Sequence, residues 1–151
     1  MLFPHVVPTP VTATAVRSLG YSAAVMVTAS HNPPRDNGYK VYLGDYNGGG
    51  QIVGPVDKDM SREIEKGAAT KNFNQIAKSN NYEMIGVDLI DEYVSVTRRL
   101  IDQPLGPQIR IVYSAMHGVG YKTTSQLFAS AGIIEPIVVA EQNEPDGDFP
   151  T

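Results

Sequence analysis

The sequence contains no cysteine, and no part of it is a long apolar run. Without cysteine the chain can form neither a disulfide framework nor a thiolate metal site, which is compatible with a reducing compartment. No stretch approaches the roughly 18 apolar residues of a membrane-spanning helix, and residues 1–5 lack the basic and apolar parts of a signal peptide. We therefore expect a cytoplasmic protein that has no membrane partner.

Positive charge is also scarce. Twelve Lys and Arg residues stand against 16 Asp and Glu residues, which gives a formal net charge of -4. A track for nucleic-acid phosphates needs a cluster of basic residues, and none is present, so nucleic acid is not an expected partner. With 42% apolar and 19% charged residues over 151 positions, the composition is typical of a folded globular protein with one ordinary core.

The first half of the chain predicts alternating helices and short strands. Thr9 is the expected N-cap of the first helix, which begins with Pro10 and stops at Gly20. The first strand is an uninterrupted apolar run, typical of a strand buried on both faces. The second helix is expected to open at Pro55 and to end before Gly67. The expected bounds are 10–19 and 55–66 for the helices and 23–28, 39–43 and 51–53 for the strands.

A polar, Asn-rich stretch at 70–86 shows no sustained period, and we place a domain boundary near residue 80. Beyond it a helix is expected at 88–101, a strand at 109–115, a helix at 121–131 and a strand at 136–140. The last three form a βαβ unit, which implies parallel strands. Because two strands are too few for an independently stable sheet, the chain is expected to stop inside a domain.

One segment, Thr28 to Lys40 (TASHNPPRDNGYK), consists largely of residues that are typical of loops. Ser30 follows the first strand, and Pro33 and Pro34 stiffen the loop, so the serine oxygen is held outside the core with little backbone freedom to lose. A serine hydrolase is excluded because Ser30 and His31 are adjacent, whereas a catalytic triad brings its histidine from elsewhere, and no G-x-S-x-G elbow is present.

This loop resembles the phosphoserine loop of the α-D-phosphohexomutases, the family of phosphoglucomutases and phosphomannomutases. Three further segments resemble family segments in family order: VPTP at 7–10, MHGVG at 116–120 and EPDGDFPT at 144–151. The resemblance implies an α/β fold with mixed and parallel sheet layers and helices, in two incomplete domains. Residues 1–80 would be part of domain I with the phosphoserine loop at 28–40, and residues 81–151 a linker helix and the start of domain II.

The resemblance also implies an intramolecular phosphotransferase that moves phosphate between the 1- and 6-positions of a sugar phosphate. Ser30 would carry the phosphoryl group, Lys40 would assist proton movement and neutralise charge, and His31 would lie near the phosphate. Hexose 1,6-bisphosphate would be the intermediate and activator. Mg²⁺ would bind the phosphate on Ser30 and three aspartates of an Asp-x-Asp-x-Asp-Arg loop that this sequence does not contain. The isolated chain is therefore expected to show no meaningful turnover.

Three hypotheses remain open at this stage. The chain is a fragment of a mutase, a non-catalytic module that binds a phosphosugar, or a truncated remnant that folds as a homo-oligomer completing its sheets. The substrate is also open, with glucose, mannose and pentose phosphates favoured in that order, so phosphopentomutase activity remains an alternative. Two other motifs are expected to be structural. HGVGYKT at 117–123 lacks the glycines of nucleotide-binding loops, and Asp146 and Asp148 are expected to lie in a surface turn.

Overall fold

The computed structural model of the chain describes residues 1–70, 72–86, 88–102 and 109–151. Within these ranges helices and short strands alternate, interrupted by 3-10 turns at Asp45–Asn47, Phe73–Gln75 and Ala140–Gln142. The elements in chain order are α1 (Thr9–Ser18), β1 (Ala23–Val27), β2 (Tyr39–Leu43), β3 (Gly50–Gln51), α2 (Val56–Thr70), α3 (Asp88–Arg98), β4 (Val112–Tyr113), α4 (Tyr121–Ser130) and β5 (Ile137–Val138). The expected α/β fold is confirmed.

Helix α1 is the central packing element of the first half. Its N-cap is Pro8, whose carbonyl accepts a hydrogen bond from the Val11 N–H at 2.9 Å, so Thr9 is the first helical residue and not the cap that we expected. At the other end Gly20 has φ +64°, and the Tyr21 N–H donates to the Val16 carbonyl at 3.0 Å, which closes the helix with a Schellman motif. The predicted stop is thus confirmed.

The first three strands form an antiparallel sheet in the order β1-β2-β3. Strands β1 and β2 pair along their whole length, from Ala23 opposite Leu43 to Val27 opposite Tyr39. The expectation that the first strand is buried on both faces is wrong, because Val25 and Val27 are 57% and 79% exposed. Strand β1 lies at the sheet edge, and one of its faces is left uncovered.

Helix α2 is the least packed element, since none of its residues is buried. Its predicted end at Gly67 is wrong, because the helix continues through that glycine to Thr70. Nothing lies within 4 Å of the position that a Gly67 Cβ would take. Its apolar side chains are correspondingly poorly covered, with Ile64 47% exposed.

The polar stretch after α2 ends in the core. Leu2 forms an isolated parallel bridge with Met84, and the Ile85 N–H donates to the Leu2 carbonyl at 2.7 Å. Ile85 is 8% exposed and packs with Ala15 of α1 and Leu89 of α3. Pairing with the N-terminal segment therefore gives structure to residues that show no sequence period.

In the second half β4 and β5 form the predicted parallel pair, with Val112 opposite Ile137 and Tyr113 opposite Val138. Each strand has two residues, which is shorter than we expected. Helix α3 ends at Arg98, earlier than the expected residue 101, and buries Leu89 and Val94, while Ile90 is only half-buried. Among the described helices, none has the length and apolar character that crossing a membrane requires.

Candidate functional site

The loop between β1 and β2 is closed at its base by a backbone hydrogen bond. The Thr28 N–H donates to the Gly38 carbonyl at 2.9 Å, which extends the strand pair beyond Val27 and Tyr39. A Cβ at Gly38 would lie 2.6 Å from the Thr28 carbonyl oxygen, so the two sides of the loop come too close for any larger residue. Residues 29–37 therefore project from a fixed base.

Ser30 lies at the start of this loop, is exposed, and has φ +59°. The left-handed region costs a residue with a Cβ about 1 kcal/mol, so local bonds must hold it there. The Ser30 N–H donates to Thr28 Oγ1 at 3.0 Å. Its hydroxyl oxygen lies 3.2 Å from Nδ1 of His31. Ser30 thus has a constrained backbone and a hydroxyl that is open to solvent.

Two turns shape the rest of the loop. The Asn32 N–H donates to the Ala29 carbonyl at 3.2 Å, and the Asp36 N–H donates to the Pro33 carbonyl at 2.8 Å. All residues from 30 to 37 are exposed. The loop is therefore a surface feature whose shape comes from its own backbone bonds.

Lys40 lies on the neighbouring strand, opposite Met26 of β1. It is half-buried, and with the strand period of two it shares a face with Tyr42. Tyr42 is 5% exposed, and its burial raises the pKa of the phenol. Among the described residues no carboxylate pairs with Lys40, and no hydrogen bond joins it to Ser30. The structure therefore brings Ser30 and His31 into contact and places Lys40 on the adjoining strand.

The residues present do not fit a resident magnesium ion. Ser30 would contribute one phosphate oxygen, but no group of three or more His, Asp or Glu side chains that could hold a metal occurs within the described ranges. Asp146 and Asp148 are not such a site. The Asp148 N–H donates to Asp146 Oδ1 at 2.9 Å, and both residues are exposed, as predicted for a surface turn. Magnesium binding at this loop needs carboxylates from elsewhere.

A second polar cluster is one that the sequence alone did not reveal. His117 is 7% exposed with φ +59°, and its Nε2 lies 2.8 Å from Thr151 Oγ1. The backbone N–H of His117 donates to the Gln142 carbonyl at 2.9 Å, and the ring Nδ1 lies 3.3 Å from the Glu144 carbonyl oxygen. Two segments that look separate in the sequence, 116–120 and 144–151, are therefore tied together by one imidazole.

A cavity of about 510 Å³ lies near this second cluster. Its lining comes from the N-terminal segment, from the start of α4 with the turn before it, and from the segment after β5: His5, Val6, Gly118, Val119, Tyr121, Lys122, Ser125, Gln126, Asn143, Glu144 and Pro145. No residue of the 28–40 loop lines it. The exposed serine and this cavity are consequently separate features of the molecule.

Comparison with known proteins identifies the class to which this fold and loop belong. Residues 1–74 match the family described as phosphoglucomutase/phosphomannomutase, alpha/beta/alpha domain I, and residues 87–151 match the corresponding domain II. Together the two matches cover most of the chain. The chain belongs to the phosphoglucomutase/phosphomannomutase family.

Individual relatives agree with this assignment. The chain is 51% identical over 150 residues to a Haemophilus influenzae protein named probable phosphomannomutase, covering 99% of this chain and 30% of that protein. It is 32% identical over 164 residues to human phosphopentomutase, covering 99% of this chain and 25% of the enzyme. The chain thus spans less than a third of the length of these relatives.

Solved structures show the same fold. A Thermus thermophilus protein assigned to the phosphomannomutases superposes with a TM-score of 0.74 at 27% identity, covering 98% of this chain and 31% of that one. A phosphoglucomutase/phosphomannomutase family protein from Burkholderia thailandensis gives a TM-score of 0.65 at 29% identity, covering 96% and 30%. The arrangement of α1–α4 and β1–β5 is therefore that of the family.

Proposed function

We propose that Ser30 is the phosphoryl carrier of a phosphohexomutase active site, in which sugar 1-phosphates and 6-phosphates are interconverted through a bisphosphate. The observation that carries this proposal is the exposed, left-handed Ser30 beside His31, on a loop closed by Thr28 and Gly38. Family membership supports it. A surface serine with a constrained backbone suits a reaction in which the protein contributes mainly positioning and charge stabilisation.

The proposed reaction has two balanced transfers. In the first, a sugar hydroxyl oxygen bonds to phosphorus and gives up its proton, while the bond between phosphorus and Ser30 Oγ breaks and Oγ takes up a proton. In the second, the Ser30 hydroxyl gives up its proton and bonds to the other phosphorus of the bisphosphate, while the bond from that phosphorus to its sugar oxygen breaks and the sugar oxygen takes up a proton. His31, whose Nδ1 lies 3.2 Å from Oγ, would donate to that oxygen as it becomes the leaving group. Lys40, on the adjoining strand, would neutralise phosphate charge and donate a proton as the ammonium ion, and would accept a proton as the neutral amine that this leaves.

Other parts of the site are proposed to come from outside the described residues. Magnesium and hexose 1,6-bisphosphate belong to this proposal as cofactor and intermediate, with the carboxylate ligands of magnesium supplied elsewhere in the complete protein. The chain by itself would then turn over no substrate. We further propose a cytoplasmic location and a division between two domains near residue 80.

The substrate class is a sugar phosphate. The relatives bear different names, among them phosphomannomutase, phosphopentomutase and glucose 1,6-bisphosphate synthase. We propose a hexose phosphate, because the relative with 51% identity is named for mannose phosphate. Pentose phosphate is the second candidate, supported by the human relative at 32% identity.

The direct test is the covalent state of Ser30. We expect the protein purified from its source to carry one phosphoryl group on the peptide that contains Ser30, measured by mass spectrometry with fragment-ion localisation. Incubation with a hexose monophosphate is expected to remove that group, and hexose 1,6-bisphosphate to restore it. Phosphate that is absent from Ser30 under both conditions would contradict the proposal.

A coupled mutase assay of the complete protein provides the second readout. Ser30→Ala is expected to abolish activity, whereas Ser61→Ala, on the exposed helix α2, is the matched control and is expected to leave it unchanged. If the wild type shows no mutase activity and binds phosphosugar as tightly as Ser30→Ala does, the non-catalytic binding module becomes the better account.

A further inference from the structure

The backbone of Ser30 is held in its unusual conformation by one side chain. The left-handed φ of +59° is unfavourable for serine, and the Ser30 N–H donates to Oγ1 of Thr28, two residues earlier, at 3.0 Å. The hydroxyl of Ser30 contacts His31 instead. The N–H and the hydroxyl of Ser30 thus have different partners. Of these two contacts, only the one made by the N–H bears directly on the backbone conformation.

Thr28 is itself well fixed, which makes it an effective anchor. Its N–H donates to the Gly38 carbonyl at 2.9 Å, so it continues the β1–β2 ladder. Its carbonyl oxygen packs against Gly38, where an added Cβ would be 2.6 Å away. A β-branched side chain on such a backbone has restricted χ1, so the direction of its hydroxyl is largely set by the sheet.

We propose that Thr28 is a positioning residue for Ser30. By accepting the Ser30 N–H, its hydroxyl holds the phosphoryl carrier in a fixed orientation relative to the sheet. This inference rests on the proposed function of Ser30. Without the Thr28 acceptor, the Ser30 backbone relaxes toward the ordinary extended and right-handed regions, and Oγ moves away from its aligned position. Thr28 does not touch the substrate in this role.

Because Thr28 orients Ser30 and does not contact the substrate, its loss is expected to affect kcat and not KM. A neutral hydrogen bond changes the equilibrium between the aligned and unaligned conformations by about two- to tenfold. Thr28→Val keeps the branched shape and removes the hydroxyl. We expect it to lower kcat of the complete protein by up to about tenfold while KM stays unchanged, because only the aligned carrier reacts. Thr28→Ser keeps the acceptor oxygen and is expected to restore kcat to near the wild-type value.

A structural measurement on the chain itself does not depend on activity. Hydrogen exchange of the Ser30 amide, followed by NMR, is expected to be slowed in wild type and Thr28→Ser and to be fast in Thr28→Val. If Thr28→Val fails to fold, the wild type and Thr28→Ser still decide the point, since a rapidly exchanging Ser30 amide in both would overturn the hydrogen bond.

Failure of this proposal is distinguishable from failure of the proposed function. If Ser30 is phosphorylated and Ser30→Ala is inactive, but Thr28→Val has wild-type kcat, the positioning role is overturned and the carrier role stands. If KM rises instead while kcat is unchanged, Thr28 acts on substrate binding and the proposal is again wrong. If Ser30→Ala is fully active, the proposed function fails irrespective of Thr28.

Discussion

Ser30 combines two properties that stability alone would not select together. It is exposed, so its side chain buries nothing, and it occupies a region of φ where glycine is the favoured residue. Unfavourable backbone geometry that serves no packing purpose is typical of functional positions. This combination is consistent with our proposal that Ser30 is kept for its hydroxyl, at the expense of local stability.

This interpretation predicts opposite effects of one substitution on stability and function. Ser30→Gly is expected to raise the free energy of unfolding by about 0.5–1 kcal/mol, because glycine adopts positive φ without strain, and to abolish phosphorylation at this position. Urea unfolding measures the first effect and mass spectrometry the second.

Ser22 provides the matched control for that measurement. It is an exposed serine just before β1 and is not among the residues with positive φ. Ser22→Gly is expected to lower the free energy of unfolding, since glycine there only adds freedom to the unfolded chain. If Ser30→Gly destabilises the protein as Ser22→Gly does, the left-handed conformation is not the populated one.

At the residue scale, the sequence indicated which loop residues to consider but did not reveal how their backbone and side chains are arranged. Ser30 and His31 are adjacent in the chain, so their proximity in the structure required no long-range information. The role of Thr28 was not predictable, because a bond from the Ser30 N–H to Oγ1 two residues earlier depends on a backbone angle that no composition or period reveals. The place of Lys40 on the strand that follows the loop was expected, because the sequence predicts a strand at 39–43.

At the scale of elements, the junction between α1, β1 and β2 depends on a close backbone contact. Gly44, just after β2, is buried, and a Cβ there would lie 1.9 Å from the Tyr21 carbonyl oxygen and 3.2 Å from Val16 Cγ1. Its N–H donates to the Ser22 carbonyl at 2.9 Å. The end of β2 and the turn after α1 therefore touch backbone to backbone, which fixes the start of β1 against β2.

Gly44→Ala is expected to lower the free energy of unfolding by about 3 kcal/mol or more, because the contact is with backbone that cannot move aside. Thermal unfolding followed by circular dichroism measures this effect. Gly67→Ala is the matched control. It lies in α2 with nothing within 4 Å of the new Cβ, and is expected to stabilise its helix by up to about 1 kcal/mol. Equal stability of the two variants would contradict the close approach.

The sequence predicted where most helices and strands lie, but it was wrong about how the first strand is covered and did not reveal one strand pairing. An uninterrupted apolar run was interpreted as a strand covered on both sides, as in a parallel sheet. The loop between β1 and β2 is too short for a parallel crossover, which needs a dozen or more residues, and the structure accordingly has an antiparallel pair. The pairing of Leu2 with Met84 escaped prediction because the two residues are far apart in the chain and neither lies in a periodic segment.

At the scale of the whole molecule, strand β1 is an edge of the first sheet, and within the described residues no further strand pairs with it. Strand β1 (AAVMV) carries no charge and no proline, it is an edge strand, and Val25 and Val27 are 57% and 79% exposed. An edge with these properties presents unpaired N–H and C=O groups as a template for another strand. A second copy of the chain offers an identical β1 edge, and two such edges can pair with each other.

We therefore expect the isolated chain to self-associate as its concentration rises, which light scattering coupled to size-exclusion chromatography would measure. Val27→Lys places a charge on the exposed face at the end of β1 and is expected to shift the equilibrium toward monomer, because burying an unpaired ammonium at an edge-to-edge contact is costly. Val53→Lys adds the same charge at a residue that is 71% exposed and lies outside the strands, so it controls for net charge. A compact monomer at all concentrations would exclude association through β1. An equal response to both variants would mean that overall charge, and not the strand edge, governs association.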